Sequence, residues 1–163
     1  MEEALYEKEV DGVLYIKGSG HVTAKLCTDV RKEVFERIDE EPRLDSIYIE
    51  LSDCDYMDST FMGLLVGFNK RFKKMAGKPI EIVQPSSECV KLLKGLGIFR
   101  LLRVTDKKIN MPKEMKKITE NSTATAEMVL RAHENLIEIS DENREKFRVL
   151  HSILKKQAEQ EDK

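Results

Sequence analysis

The stretch I-Y-I-E-L-S-D-C-D-Y-M-D-S-T-F-M-G-L-L-V-G, residues 47 to 67, changes its hydrophobic period part-way along. Ile47, Ile49 and Leu51 alternate with more polar neighbours, the pattern of a half-buried strand, whereas Asp58 to Ala76 reads as a helix stopped by Gly77. Asp58, Ser59 and Thr60 stand at the junction, and residues of these types accept hydrogen bonds from the free N–H groups of a helix start. Strand, polar turn and apolar helix in that order make this segment one unit of an α/β layer. Just before the turn, Ser52-Asp53-Cys54-Asp55 has the D-x-D spacing of enzymes that form an aspartyl phosphate. Those enzymes continue with Thr or Val two residues later, where this chain has Met57, so Asp53 and Asp55 read as turn and loop residues.

The neighbouring segments fit the same architecture. Ala4 to Val10 and Val13 to Lys17 flank the turn signal Asp11-Gly12 and read as a hairpin. Leu26, Val30, Val34 and Ile38 recur every fourth residue and mark one face of a helix over Ala24 to Ile38, with Thr23 as a candidate cap. Ile80 to Val83 is a strand, Ser86 or Ser87 caps a helix through Lys94, and Ile98 to Val104 reads as a returning strand. The expected fold is an α/β layered domain whose helices cover the sheet, complete by about Asp106, followed by a C-terminal helical extension over 107–163.

Composition narrows the function. A net charge of -2 on 163 residues gives no global attraction to nucleic acid or anionic lipid, and Lys70, Arg71, Lys73 and Lys74 fall late in a helix, where they complement its dipole. The three cysteines, Cys27, Cys54 and Cys89, are far apart and in apolar contexts, as expected of reduced thiols in a cytosolic protein. His21, His133 and His151 are scattered without metal-ligand spacing, and neither a signal pattern nor an apolar run of membrane-spanning length occurs. A soluble, cytoplasmic protein without metal or cofactor is the expectation.

Lys107 to Glu120 reads as a basic, polar connector, after which the sequence turns to helix formers. Val129, Leu136, Asn143 and Leu150 recur every seventh residue, and His133, Ser140, Phe147 and Leu154 recur in parallel. Ser140-Asp141-Glu142 also looks like a helix start, so one long helix and a hairpin of two both remain open. The polar members of the stripe weaken an apolar seam. They leave open packing on the domain's own surface, self-association as a homodimer, or capture of a partner helix.

The segment around Asp58-Ser59-Thr60, with its apolar strand before and its glycine-containing apolar helix after, resembles the centre of STAS domains of the anti-sigma factor antagonist type. The resemblance spans about Leu5 to Val104, with Gly18 and Gly63 at positions that match the family's glycines. It departs at Phe61, where family members usually have Gly, and at Ser19-Gly20-His21, where they commonly carry an acidic pair. The resemblance implies a STAS-like mixed sheet with its helices packed on one face, and a non-enzymatic, phospho-regulated binding module. Ser59 would be the phosphorylation site, with Thr60 the less favoured neighbour. An anti-sigma factor that is also a serine kinase would be its partner, and a phosphatase would reverse the modification. Asp58, Phe61, Met62, Ser19 and His21 would line the partner surface. Because Phe61 and Met62 are adjacent at the helix start, at least one is expected to be exposed, and the Ser59 hydroxyl is expected to be solvent-reachable. A STAS scaffold or homo-oligomeric adaptor in which no serine is modified is the alternative.

Overall fold

The computed structural model describes residues 2–118 and 124–161, so the end of the connector lies outside the described residues. Strands β1 (Ala4–Val10) and β2 (Val13–Val22) form the expected antiparallel hairpin. Asp11 and Gly12 both take positive φ, as a tight hairpin turn matched to strand twist requires. Strand β3 (Ser46–Met57) runs parallel to β2, β4 (Glu81–Val83) to β3 and β5 (Arg103–Thr105) to β4. A sixth strand, β6 (Lys116–Ile118), pairs antiparallel with β1, giving the order β5-β4-β3-β2-β1-β6.

Three segments differ from the sequence reading. Asp53 and Asp55 lie within β3, not in a loop, because β2 continues past Lys17 and keeps β3 paired through two register shifts as far as Met57. Ile98 to Leu102 is a turn that buries Ile98 and Leu102, and only Arg103 to Thr105 pairs with β4. The stretch read as a connector supplies β6.

Helices α1 (Cys27–Asp39), α2 (Ser59–Ala76) and α3 (Ser87–Gly95) follow β2, β3 and β4. Leu14, Ile16, Ile47 and Ile49 are buried, while Tyr15 and Tyr48, on the other face of the same strands, are only half-buried with ring centroids 5.8 Å apart. One face of the sheet therefore carries the core, as the alternation predicts. The extension is a hairpin of two helices, α4 (Ala126–Ile137) and α5 (Asp141–Glu161), with α4 against α2. The seven-residue repeat does not run through one rod; the chain reverses at residues 138–140.

The first half of helix α2, Thr60 to Asn69, is consequently enclosed. Phe61, Leu65, Phe68 and Phe72 form one stripe with at most 1% exposure, and Gly63, Val66 and Gly67 on the other side are buried as well. The structure corrects the expectation that at least one of Phe61 and Met62 is exposed: both are buried, Phe61 on the stripe turned away from the hairpin, while the hairpin supplies a second wall on the Gly63 side that the α/β layer alone lacks. A helix that is apolar all round is stable only between two such walls. Truncating Phe61 to Ala should therefore cost about 3–5 kcal/mol of folding stability in a urea titration, and a loss below about 1 kcal/mol would contradict its place in the core.

Candidate functional site

The N-terminus of α2 is built around Asp58. Its backbone is extended, as an N-cap residue's is, and carboxylate Oδ1 accepts from Phe61 N at 2.8 Å. The other oxygen, Oδ2, accepts from Ala24 N at 2.8 Å, and Asp58 N donates to Val22 O at 3.1 Å. One side chain thus caps α2 and ties it to the entry of α1. The carboxylate expected to face a partner is instead largely committed inside the protein.

Ser59 is the first residue of α2, and its hydroxyl is half-buried rather than open to solvent. Its Oγ lies 2.8 Å from Nε2 of His133 on α4. His133 is 1% exposed, and its Nδ1 is 2.7 Å from Val129 O. A carbonyl can only accept, so Nδ1 carries the proton and Nε2 of the neutral ring accepts from the Ser59 hydroxyl. Burial lowers the His133 pKa from its ordinary value, opposed by the Val129 carbonyl and by Asp58. The Phe147 ring of α5 packs against the imidazole in an edge-to-face arrangement, with ring centroids 5.1 Å apart.

Close helix contact makes this possible. A β-carbon on Gly63 would stand 2.1 Å from the Ala132 carbonyl oxygen, so α4 approaches α2 backbone to backbone. Asn135 Nδ2 donates to Gly63 O at 3.2 Å and occupies the space beside Gly67.

The other residues expected at the partner surface are divided. Thr60 is 5% exposed and faces the cavity lined by Cys27, Phe35, Leu64 and Met128. Ser19 is also 5% exposed and donates its hydroxyl to Glu2 O. His21, in contrast, is exposed beside Glu3 and Asp55, with its ring against Tyr56 at 5.4 Å. Because β2 and β3 are parallel there, His21 and Tyr56 are register partners just before Asp58. Cys27, Cys54 and Cys89 are buried free thiols, and among the described residues no cluster suited to a metal occurs. No helix among them is long and apolar enough to cross a membrane.

The family model of the STAS domain matches residues 7–110. The chain belongs to the STAS domain family. The α4–α5 hairpin lies outside that match. Among solved structures, this STAS protein resembles the protein TM1081 from Thermotoga maritima, with TM-score 0.54 and 22% identity over 62% of this chain and 85% of that one. It also resembles the anti-sigma factor antagonist SpoIIAA, known in an unphosphorylated form (TM-score 0.52, 18% identity, 64% and 89% covered). The phosphorylated form of the Bacillus SpoIIAA is similar too (TM-score 0.51, 17% identity, 64% and 92% covered). No curated protein matches the sequence.

Sequence reasoning missed His133, Asn135 and Ala132 as neighbours of the Ser59 helix. The available signal was Gly63 and Gly67, four residues apart in an otherwise apolar helix, which marks a seat for a second helix. Two outcomes test the site. Asp58→Ala, which strands two backbone donors, should cost about 2–3 kcal/mol by urea titration, with Asp58→Asn recovering roughly half. For His133, the unfolded state takes up a proton before the folded state does. The stability it provides is therefore present above pH 6.5 and lost as the pH falls below that value. Thermal midpoints at pH 7 and pH 5 should fall further in wild type than in His133→Gln. The comparison cancels Glu7, whose carboxyl is pushed up to about 8 by burial and by Glu33 and which acts with the opposite sign.

Proposed function

We propose that this STAS protein is an anti-sigma factor antagonist in a partner-switching pathway, modified on Ser59. Unphosphorylated, it binds an anti-sigma factor that is also a serine kinase; phosphorylated, it lets go, and a phosphatase resets it. The observation that carries the reading is the position of Ser59 at the start of α2, directly after its Asp58 cap and at the end of the parallel strand β3. That is where the family resemblance puts the modified serine. A phosphate there sits at a helix N-terminus, where the dipole favours negative charge. Thr60 is buried, so Ser59, half-buried, carries the less enclosed hydroxyl of the two.

Transfer forms the bond between Ser59 Oγ and the γ-phosphorus of ATP and breaks the bond between that phosphorus and the β,γ-bridging oxygen, releasing ADP. The hydroxyl proton passes to a base of the kinase. No group of this chain need catalyse anything. His21 and the rim around Asp58 make up the proposed partner surface, with Tyr56 beside them. Phe61, Met62 and Ser19, all buried, support it from within.

Incubation with ATP and the serine kinases of the same cell, read by intact mass and peptide mapping, tests the assignment. One phosphate on the Ser59 peptide is expected, retained in Thr60→Val and absent in Ser59→Ala. Against a kinase identified in this way, Ser59→Asp should bind at least about tenfold more weakly than Ser59→Ala in calorimetry, since an unpaired charge in an interface costs more than ~1.4 kcal/mol. Equal affinities would return Ser59 to a packing role. A second reading, an unmodified scaffold or homo-oligomeric adaptor, draws on Val149 and Ile153, which are 61% and 48% exposed on α5. It expects no phosphate from any kinase and a mass that rises with concentration in light scattering.

A further inference from the structure

We infer that the α4–α5 hairpin is a built-in latch over Ser59, closed by the Ser59–His133 hydrogen bond and opened by a phosphate on Ser59. The inference rests on the proposed modification of Ser59, but its test needs no kinase. Three observations place the latch. The Ser59 hydroxyl is 2.8 Å from a histidine that is itself almost wholly buried on α4. The hairpin lies outside the family match, so the residues that cover Ser59 are an addition to the STAS domain. The polar attachments of the hairpin to the domain among the described residues are otherwise few, Asn135 to Gly63 O, Asn143 Nδ2 to Leu96 O at 2.9 Å and Lys70 with Glu138, and the rest of its hold is the apolar packing of Met128, Leu136 and Phe147, which opening must give up.

A phosphate is incompatible with the closed arrangement on two counts. Esterification removes the O–H that His133 Nε2 accepts, and Nδ1 is already held by Val129 O, so the buried ring loses a partner it cannot replace with water. On the side of Ser59 that faces α4 there is also no room for phosphate oxygens, because Nε2 of the buried His133 already stands 2.8 Å from Oγ and the Gly63–Ala132 contact holds the two helices backbone to backbone one turn away. Opening relieves both, and the phosphate then stays at the helix N-terminus in solvent. The modified and unmodified proteins would thus present different surfaces of α2, covered by α4 in one and bare in the other.

Amide hydrogen exchange by mass spectrometry on the full chain, with phosphoserine installed at position 59 during translation, reads the latch directly. Exchange across 126–137 and 141–161 should rise about 100-fold or more over the unmodified chain, while β3 stays protected. Gly63→Ala provides the same opening without phosphate: alanine favours the isolated helix, so only the collision with Ala132 can act against it. It should free the hairpin and leave β3 as slow as before. Unchanged exchange in the phosphoserine chain overturns the latch. Slower exchange overturns it as well, since the phosphate would then be pairing with a protonated His133. So does loss of protection in β3 together with the hairpin, which would make the extension an inseparable part of one core. A chain that no kinase modifies would still answer this question, so failure of the proposed function and failure of the latch are separately visible.

Discussion

A hydrogen atom stands where Gly63 would otherwise carry a side chain, and the Ala132 carbonyl fills the space it leaves. That contact decides how α2 is buried. With the α4 backbone seated there, Asn135 reaches the Gly63 carbonyl and His133 reaches Ser59 one helical turn earlier. Remove the close approach and α2 would have an apolar outer face against water, the arrangement the sequence at first suggests for Phe61 and Met62. The enclosed helix is therefore a joint product of the sheet and the hairpin.

Polar residues in the extension set its geometry. Ser140 accepts from Asn143 N at 3.1 Å and starts α5, and Asn143 donates to both Leu96 O and Leu136 O at 2.9 Å while 2% exposed. His133 makes the contact with Ser59. In an apolar seam such residues weaken association, but each here has a satisfied partner that exists in only one register. The hairpin is fixed in place by a few directional bonds, while the apolar burial of Leu136, Phe147 and Leu154 supplies the non-directional part.

On the proposed function, the same arrangement would join stability to signalling. Ser59 is held against a packed helix, and His21 and Tyr56 lie at the strand ends just before Asp58, so a charge placed on Ser59 would act first on the protein's own fold and then on its partner. Asp58 stands apart from that change. Its carboxylate keeps α1 and α2 joined through Ala24 N and Phe61 N whether or not the hairpin is docked. If the hairpin is released as inferred, the fixed cap and the moving cover would divide the labour of a switch, which needs one element that moves and one that does not.

The sequence by itself determined the hairpin of β1 and β2, the strand–cap–helix unit around Asp58, the glycine stop at Gly77 and the STAS resemblance, because local period and capping chemistry act over a few residues. It also marked Ser59, through its position after Asp58. It could not place Asp53 and Asp55 inside β3, since their pairing depends on where β2 ends, nor recover β6, whose three residues are a strand only because the β1 edge is there to pair with. Whether the extension was one helix or two, and what it lay against, rested on contacts between residues more than 70 positions apart, such as Ser59 with His133 and Gly63 with Asn135. No local pattern encodes such a distance. Only the folded chain, by seating α4 on the glycines of α2, decided that the serine picked out by its neighbours would be covered by a histidine far along the sequence.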